Sequence, residues 1–120
     1  VSQSDVDIIL VGDSAAQLVL GFDSTLPATM DLMVALTAAV RRGAPDTYLI
    51  ADMPFLSYHI TVPEAIRNAG RFLTEAGAQM VKIEATGAHL DTVRAIADAV
   101  SQTTGISVSH ESVRRWMLEG

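Results

Sequence analysis

The feature that most constrains the fold is a set of short apolar runs that are continuous rather than alternating. They cover residues 6–11, 48–51, 80–83 and, more weakly, 106–108. Strands that are buried on both faces have this composition, because helices cover both sides of a parallel sheet. Each run therefore predicts one strand of such a sheet.

Longer amphipathic stretches separate these runs, and each carries signals of a helix. Helices are predicted over residues 29–42, 61–77 and 89–100. The first is followed by Gly43 and Pro45, a common way for a helix to end. The second opens with a capping box that has proline in its first turn, Thr61-Val-Pro-Glu64. Strand and helix are thus expected to alternate.

The joints between these elements repeat at a regular interval. Gly43-Ala44 and Gly77-Ala78 lie 34 residues apart, and each pair precedes a predicted strand. Such a period is typical of α/β architecture. No glycine-rich phosphate loop follows a strand, which argues against a nucleotide-binding sheet. We therefore expect parallel βα units of a closed or partial barrel, as a single domain over residues 1–120 with a divergent tail at 101–120.

Three acidic residues stand at the carboxyl ends of predicted strands: Asp13, Asp52 and Glu84. In a parallel barrel these strand ends meet at one rim, where active sites form. Oxygen ligands without nearby histidine or cysteine favour magnesium over zinc. Lys82 lies two residues before Glu84, on the same face of the strand, and could help to hold an anionic substrate.

Two of the three acids also have a purely structural interpretation that must be weighed. Ser14 with Gln17 matches a capping box, so the segment at Asp13 could simply begin a helix. Glu84 could be an exposed acid at a strand end. Asp52 precedes Met53-Pro54 and has no such alternative. The repetition of the pattern at equivalent positions favours a shared site.

Composition excludes several classes of function. The formal net charge of −6 argues against a nucleic-acid-binding surface. The chain contains no cysteine, which excludes disulfides and thiolate metal sites. No apolar run approaches the ~20 residues of a membrane span, and no signal peptide is visible. We therefore expect a cytoplasmic protein without membrane association.

Several blocks of sequence closely resemble the ketopantoate hydroxymethyltransferase family. They are VGDS (11–14), GFDSTLPAT (21–29), AVRRGAP (39–45), ADMPFLSY (51–58), NAGRFLTEAGA (68–78) and VKIE (81–84). The resemblance implies a magnesium-dependent (β/α)8 TIM barrel, of which this chain covers roughly strands two to five. It also implies transfer of a hydroxymethyl group from 5,10-methylenetetrahydrofolate to 2-oxoisovalerate, a step of pantothenate biosynthesis.

The same resemblance implies roles for individual residues. Asp13 and Asp52 would bind Mg²⁺ and lie against the substrate, and Glu84 would be a ligand or a close neighbour of the metal. Ser14 would hold the substrate carboxylate, and Lys82 would neutralise the bound anion.

The chain also departs from the family pattern. The family is roughly twice as long, and its later glutamate, which resembles the general base, has no counterpart here. Ala85-Thr86 stand where the family has two glycines. His110 could occupy the position of a substrate-contacting histidine or could be a solvated loop residue. We expect His59 and His89 to be surface residues.

The tail, residues 104–120, allows a different function. It resembles the recognition half of a helix-turn-helix DNA-binding motif, although one helix without its partner reads no groove. The alternative is an ordinary βα-unit helix with Trp116 packed inward and Arg114 and Arg115 solvated. We treat DNA binding as the weaker hypothesis.

Two classes of function therefore stay open at this point. One is the transferase, as a shortened or partial enzyme, or another Mg²⁺-dependent 2-oxo-acid barrel that makes or breaks C–C bonds. The other is a non-catalytic remnant that keeps the metal and oxo-acid shell. In both cases the open edges of a partial barrel predict a homo-oligomer.

Overall fold

Residues 6–104, which the computed structural model describes, form a parallel sheet with helices between its strands. The strands are β1 (Ile8–Val11), β2 (Tyr48–Asp52) and β3 (Met80–Lys82); the helices are α1 (Ala15–Leu18), α2 (Met30–Gly43), α3 (Val62–Thr74) and α4 (Leu90–Thr104), the last preceded by a 3-10 turn at Gly87–His89. The predicted α/β class and the alternation of strand and helix are confirmed. The weak fourth strand at residues 106–108 lies outside the described residues.

The three strands pair in chain order, β1-β2-β3, and both pairings are parallel. Leu10 lies beside Ile50, and Asp52 lies beside Lys82 at the carboxyl ends of β2 and β3. Consecutive strands of a βα barrel wall have this order. Three strands cannot close a barrel, so the described residues establish a parallel α/β sheet and not the complete barrel.

The two faces of the sheet differ in burial. Leu49 and Ala51 of β2 are buried and belong to the core. On the opposite face, Ile8 is 53% exposed and Leu10 is 47% exposed. The expectation that the strands are buried on both faces is therefore wrong for β1 in the described part of the chain. One face of the sheet packs into the core, and the other presents apolar side chains to solvent.

The core consists of aliphatic side chains and small alanines, with Phe72 as its largest fully buried member. Helices α2 and α3, which pack beside the sheet, have capped amino ends. The Thr29 hydroxyl accepts from the Leu32 N–H at 3.1 Å, and that of Thr61 accepts from the Glu64 N–H at 3.3 Å. The predicted cap at Thr61 is thus confirmed. None of the described helices is long and apolar enough to cross a membrane.

Helix α3 ends at Thr74, three residues before the predicted end at Gly77. Gly77 has a φ of +75°, a conformation that only glycine adopts at little cost. A Cβ there would also lie 3.1 Å from the Cγ of Arg41. This glycine therefore turns the chain toward β3 and allows Arg41 to approach the backbone.

Candidate functional site

The carboxyl ends of the strands bring Asp13, Asp52 and Lys82 together. Asp52 is the last residue of β2 and is only 4% exposed. Asp13 lies two residues beyond β1, and its backbone N–H donates to Oδ2 of Asp52 at 3.0 Å. The predicted convergence of strand-end acids thus exists for this pair, and it is built on a buried carboxylate.

Lys82 links the buried acid to Glu84. Its Nζ lies 3.5 Å from Oδ1 of Asp52 and 2.8 Å from Oε1 of Glu84. This geometry confirms that Lys82 and Glu84 share a face of the chain. Burial opposes the charge on the ammonium group, but the hydrogen bond to Glu84 and the nearby Asp52 raise the pKa of Lys82. The lysine is therefore fully protonated at neutral pH.

The electrostatic balance at this rim is negative. Burial raises the pKa of the Asp13 carboxyl, and repulsion from Asp52 and Glu84 raises it further, while Lys82 opposes the shift. A single ammonium group faces three carboxylates. We call Asp13, Asp52, Lys82 and Glu84 the acid rim. Such a group of charges favours the approach of a cation.

The residues of the acid rim fit a magnesium ion with open coordination positions. Among the described residues, no three His, Cys, Asp or Glu side chains are placed to hold a metal ion by themselves. Mg²⁺ does not need such a cage, because one or two carboxylates with water and substrate oxygens usually suffice. Asp13 and Asp52 can supply that pair. The Glu84 carboxylate is engaged by Lys82 and fits a place beside the metal better than one on it.

Ser14 lies at the start of the four-residue helix α1, with a helical backbone conformation and no side-chain capping hydrogen bond. The segment at Asp13 thus does begin a short helix with Ser14 at its N-cap, but the capping-box hydrogen bond of the Ser14 side chain is not formed. Its hydroxyl lies over Gly12: a Cβ built on Gly12 would be 3.3 Å from Oγ of Ser14 and 3.7 Å from Oδ2 of Asp52. The absent side chain at Gly12 leaves room for both the hydroxyl and the carboxylate at the same strand end.

Sequence reasoning missed the residues that close the rim on its β2–α3 side. Tyr58 is buried, and its hydroxyl donates to the backbone carbonyl of Glu84 at 2.7 Å. Burial raises the pKa of Tyr58, and the negative charges of Glu84, Asp52 and Asp13 add to this shift. The phenol is therefore a hydrogen-bond donor at neutral pH.

The two described histidines form a ring cluster with Tyr58. The ring of His59 stacks on Tyr58 with centroids 4.2 Å apart and meets the ring of His89 edge-on at 5.0 Å. Both keep part of their surface exposed, as expected of surface residues, but their rings pack against neighbouring rings. Burial lowers the pKa of His59, and the neighbouring His89 lowers it further. In the sequence, the apolar composition of the loop between β2 and α3 was the signal that could have indicated this cluster.

Other predicted features lie outside the described residues. These are His110, the tail helix with Trp116, and the arginines Arg114 and Arg115. The histidine assignment and the DNA-binding hypothesis therefore stay predictions from the sequence.

Comparison with known proteins gives consistent results. A family model described as ketopantoate hydroxymethyltransferase matches residues 1–108. Proteins named 3-methyl-2-oxobutanoate hydroxymethyltransferase are similar to this chain. The Pseudothermotoga lettingae protein is 64% identical over 84 residues, which cover 70% of this chain and 32% of that protein. The Geobacillus thermodenitrificans protein is 50% identical over 99 residues, covering 82% of this chain and 36% of that protein.

A third relative, from Syntrophomonas wolfei, is 46% identical over 117 residues, which cover 97% of this chain and 42% of that protein. It bears the same name as the other two. The chain thus spans about a third to two fifths of the length of the curated relatives it matches.

Proposed function

The chain belongs to the ketopantoate hydroxymethyltransferase family, and from this membership we propose that it carries the magnesium and 2-oxo-acid site of a 3-methyl-2-oxobutanoate hydroxymethyltransferase. The reaction would transfer a hydroxymethyl group from 5,10-methylenetetrahydrofolate to 2-oxoisovalerate. The observation that carries the proposal is the acid rim, in which the buried Asp52 carboxylate lies beside Asp13 and Lys82 at neighbouring strand ends.

In this proposal Asp13 and Asp52 offer the oxygen ligands of the metal. Two carboxylates leave coordination positions for the keto and carboxylate oxygens of the 2-oxo acid. Bound Mg²⁺ would supply Lewis acidity, which withdraws electrons from the keto group and makes the C3 proton easier to remove. Because Asp13 and Asp52 raise each other's electrostatic energy, a cation between them also relieves repulsion.

Lys82 and Ser14 would hold the anionic end of the substrate. The rim is negative without a ligand, so a substrate carboxylate needs the ammonium group of Lys82 as a partner. Lys82 is held by contacts to Asp52 and Glu84, which fix its position before a ligand binds. Ser14 is exposed at the strand end, where its hydroxyl can donate a hydrogen bond to a carboxylate.

The described sheet also supports a proposal about architecture and assembly. We propose that its three strands are wall strands of a (β/α)8 barrel, and that the apolar face with Ile8 and Leu10 points toward the barrel interior. An uncovered apolar face and the open edge of β1 favour self-association. Light scattering tests this, with a mass above 12.8 kDa as the expected result. A cytoplasmic location belongs to the same proposal, and the lack of cysteine is compatible with it.

Titration calorimetry with 2-oxoisovalerate tests the binding step. We expect binding in the presence of Mg²⁺ and none after chelation of the metal. 3-Methylbutanoate is the matched control ligand, because it keeps the carboxylate and the branched chain but lacks the keto oxygen. Equal binding of the two acids, or binding that ignores Mg²⁺, would contradict the proposed site.

A second measurement separates an enzyme from a non-catalytic binding remnant. Removal of the C3 proton needs a base, which usually contributes ~10²–10⁴-fold in rate. After Glu84, the described acidic residues are Asp91 and Asp98, both exposed on α4 and not at a strand end. We therefore expect this 120-residue chain to bind the acid without C3 proton exchange. Proton NMR in deuterium oxide reads the exchange directly; a metal-dependent rate lost in Asp52→Asn would show that a base is present.

A further inference from the structure

The backbone beyond the end of β3 is held by a side chain rather than by a strand. The ladder between β2 and β3 ends at the pair of Asp52 and Lys82. One more bond follows, from the Met53 N–H to the Lys82 carbonyl at 3.0 Å. Two residues later, the Glu84 carbonyl accepts the hydroxyl of Tyr58 at 2.7 Å. Beyond the end of the ladder, the Tyr58 hydroxyl thus provides the next hydrogen bond to this backbone.

The course of this backbone decides the geometry of the acid rim. Lys82 and Glu84 share a face only while the chain between them stays extended. Their side chains touch at 2.8 Å, and Lys82 also reaches Asp52 at 3.5 Å. A rotation of the backbone at Glu84 would carry its carboxylate away from the lysine. The lysine would then lose one of the two acids that fix it.

Tyr58 is itself placed rigidly enough to act as an anchor. It is 5% exposed, and its ring stacks on His59. The preceding residue, Ser57, is tied on both sides: its hydroxyl donates to the Pro54 carbonyl at 2.7 Å, and its carbonyl accepts from Nδ2 of Asn68 on α3 at 2.8 Å. The phenol therefore belongs to a loop fixed to helix α3, not to a freely moving segment.

We propose that Tyr58 is a positioning residue of the site: its hydroxyl holds the Glu84 carbonyl, keeps the chain extended past β3, and so keeps Glu84 and Lys82 beside Asp52. This inference rests on the proposed binding of Mg²⁺ and a 2-oxo acid at the acid rim. Tyr58 acts through Glu84 and Lys82 and does not itself touch the ligand.

The test compares two variants with the same chemical change. Tyr58→Phe removes the hydroxyl at the rim, and Tyr48→Phe removes it from the other tyrosine, at the opposite end of β2. With saturating Mg²⁺, we expect the Kd for 2-oxoisovalerate to rise roughly two- to tenfold in Tyr58→Phe, the size of one hydrogen bond, and to stay unchanged in Tyr48→Phe. Equal affinity of Tyr58→Phe and the unmodified protein would overturn the proposal.

A double-mutant cycle distinguishes positioning from general stabilisation. In a Glu84→Ala background the carboxylate that Tyr58 positions is absent, so Tyr58→Phe should weaken ligand binding by a smaller factor than in the unmodified protein. If Tyr58 merely stabilised the fold, its effect on affinity would be the same in both backgrounds. Equal factors would therefore overturn the proposal.

A third readout does not depend on the ligand. Hydrogen exchange of residues 83–89 in the ligand-free protein should accelerate in Tyr58→Phe and not in Tyr48→Phe. If the unmodified protein does not bind 2-oxoisovalerate, the proposed function is refuted. The exchange comparison would then test by itself whether Tyr58 holds the backbone at Glu84. Unchanged exchange in Tyr58→Phe would overturn it.

Discussion

The two ends of the same three strands have opposite electrostatic arrangements. At the amino ends, a single cation, Arg41, is surrounded by neutral oxygen atoms that accept its hydrogen bonds. At the carboxyl ends, three carboxylates crowd around one ammonium group. The first arrangement is satisfied without any ligand, whereas the second gains from binding a cation. Under the proposed function, one end of the sheet would serve stability and the other would serve binding, a division that is typical of α/β barrels.

The Arg41 cluster joins elements that are distant in sequence. Its guanidinium reaches five acceptors: Nε donates to the Gly77 carbonyl, Nη2 donates to Oε1 of Gln79, and the two N–H groups of Nη1 are shared among the carbonyls of Ala44, Pro45 and Thr47. The same Gln79 oxygen accepts from the Leu49 N–H at 2.9 Å, at the start of β2. One side chain thereby fixes the end of α2, the loop before β2 and the loop before β3. A guanidinium suits this place because its donors point in several fixed directions.

The acid rim is stabilised differently. The hydrogen bond from the Asp13 N–H and the contact with Lys82 hold Asp52 in place. These contacts do not cancel the repulsion that Asp13 experiences, because burial and both neighbouring acids raise its pKa. The rim therefore has a free-energy cost in the absence of a cation. Substitutions at the two ends of the sheet should have opposite consequences.

The largest effect is expected at the amino end. Arg41→Met keeps the aliphatic part of the side chain but leaves several backbone carbonyls and Gln79 without their donor, and the free energy of unfolding should fall by about 3 kcal/mol. Arg42→Met is the matched control, since Arg42 is exposed, and its effect should stay within ~0.5 kcal/mol. Urea unfolding measures both. Equal effects of the two substitutions would remove the basis for assigning stability to this end.

The next effect concerns the carboxyl end and appears only with ligand. Mg²⁺ and 2-oxoisovalerate at 100 times Kd should stabilise the protein by about 2.7 kcal/mol, because they bind only the folded state. Asp52→Asn should abolish this gain, since it replaces an ionised ligand by a neutral amide. Asp46→Asn makes the same change at an exposed position before β2, and this variant should keep the stabilisation by the ligands. Thermal melting with and without ligand reads the result; a full gain in Asp52→Asn would exclude Asp52 from the site.

A smaller effect of opposite sign is expected at Asp13. The pKa of this carboxyl is raised above 3.8 in the folded protein, so the native state holds the proton more tightly than the unfolded chain does. Stability is then lost as pH rises from 3.8 through the raised pKa, and the full cost is present at neutral pH. Asp13→Asn should therefore raise the melting temperature of the ligand-free protein by a few degrees at pH 7.

The gain in Asp13→Asn should shrink as the pH falls toward 3.8, because the unmodified carboxyl then becomes neutral as well. Asp7→Asn serves as the control, because Asp7 is an exposed carboxylate at the start of β1. The same Asp13→Asn variant should lose the stabilisation by Mg²⁺ and 2-oxoisovalerate. A melting temperature that drops in Asp13→Asn would mean that the acid rim is not a source of repulsion.

The sequence predicted the strands, the long helices and the acid rim for a shared reason. Apolar runs, caps and strand-end acids are local patterns, and parallel pairing brings equivalent positions of neighbouring strands to one edge. Lys82 beside Glu84 followed from strand alternation in the same way. These predictions needed no knowledge of which distant residues make contact.

The sequence did not predict the Arg41 cluster or the contact of Tyr58, because both depend mainly on backbone acceptors that are distant in sequence. The acceptors of Arg41 include a carbonyl 36 residues away and a side chain 38 residues away, and Tyr58 reaches a carbonyl 26 residues away. Every residue has a carbonyl, so the acceptor leaves no signal in the sequence. The contact between the rings of His59 and His89 was also missed, because it arises from the meeting of two loops.

The smallest predicted effect concerns that meeting of loops. Burial and the nearby His89 lower the pKa of His59 below 6.5, so the unfolded chain binds a proton more readily than the native protein. Stability from this group is present above pH 6.5 and is lost as the pH falls through that value toward the lowered pKa. The Arg41 cluster contains no histidine, so the amino end should add nothing to this dependence of stability on pH.

His59→Phe keeps a ring on Tyr58 and removes the titrating group that Phe55, Tyr58 and His89 surround. Urea unfolding at pH 7.5 and 5.5 should show a smaller loss of stability in this variant than in the unmodified protein. His89→Phe should reduce the loss only in part, because it removes the neighbouring charge but leaves His59 partly buried. Carboxylate titration affects all three proteins alike and cancels in the comparison. Equal losses in all three would mean that the contact between the two histidines does not contribute to the pH dependence of stability.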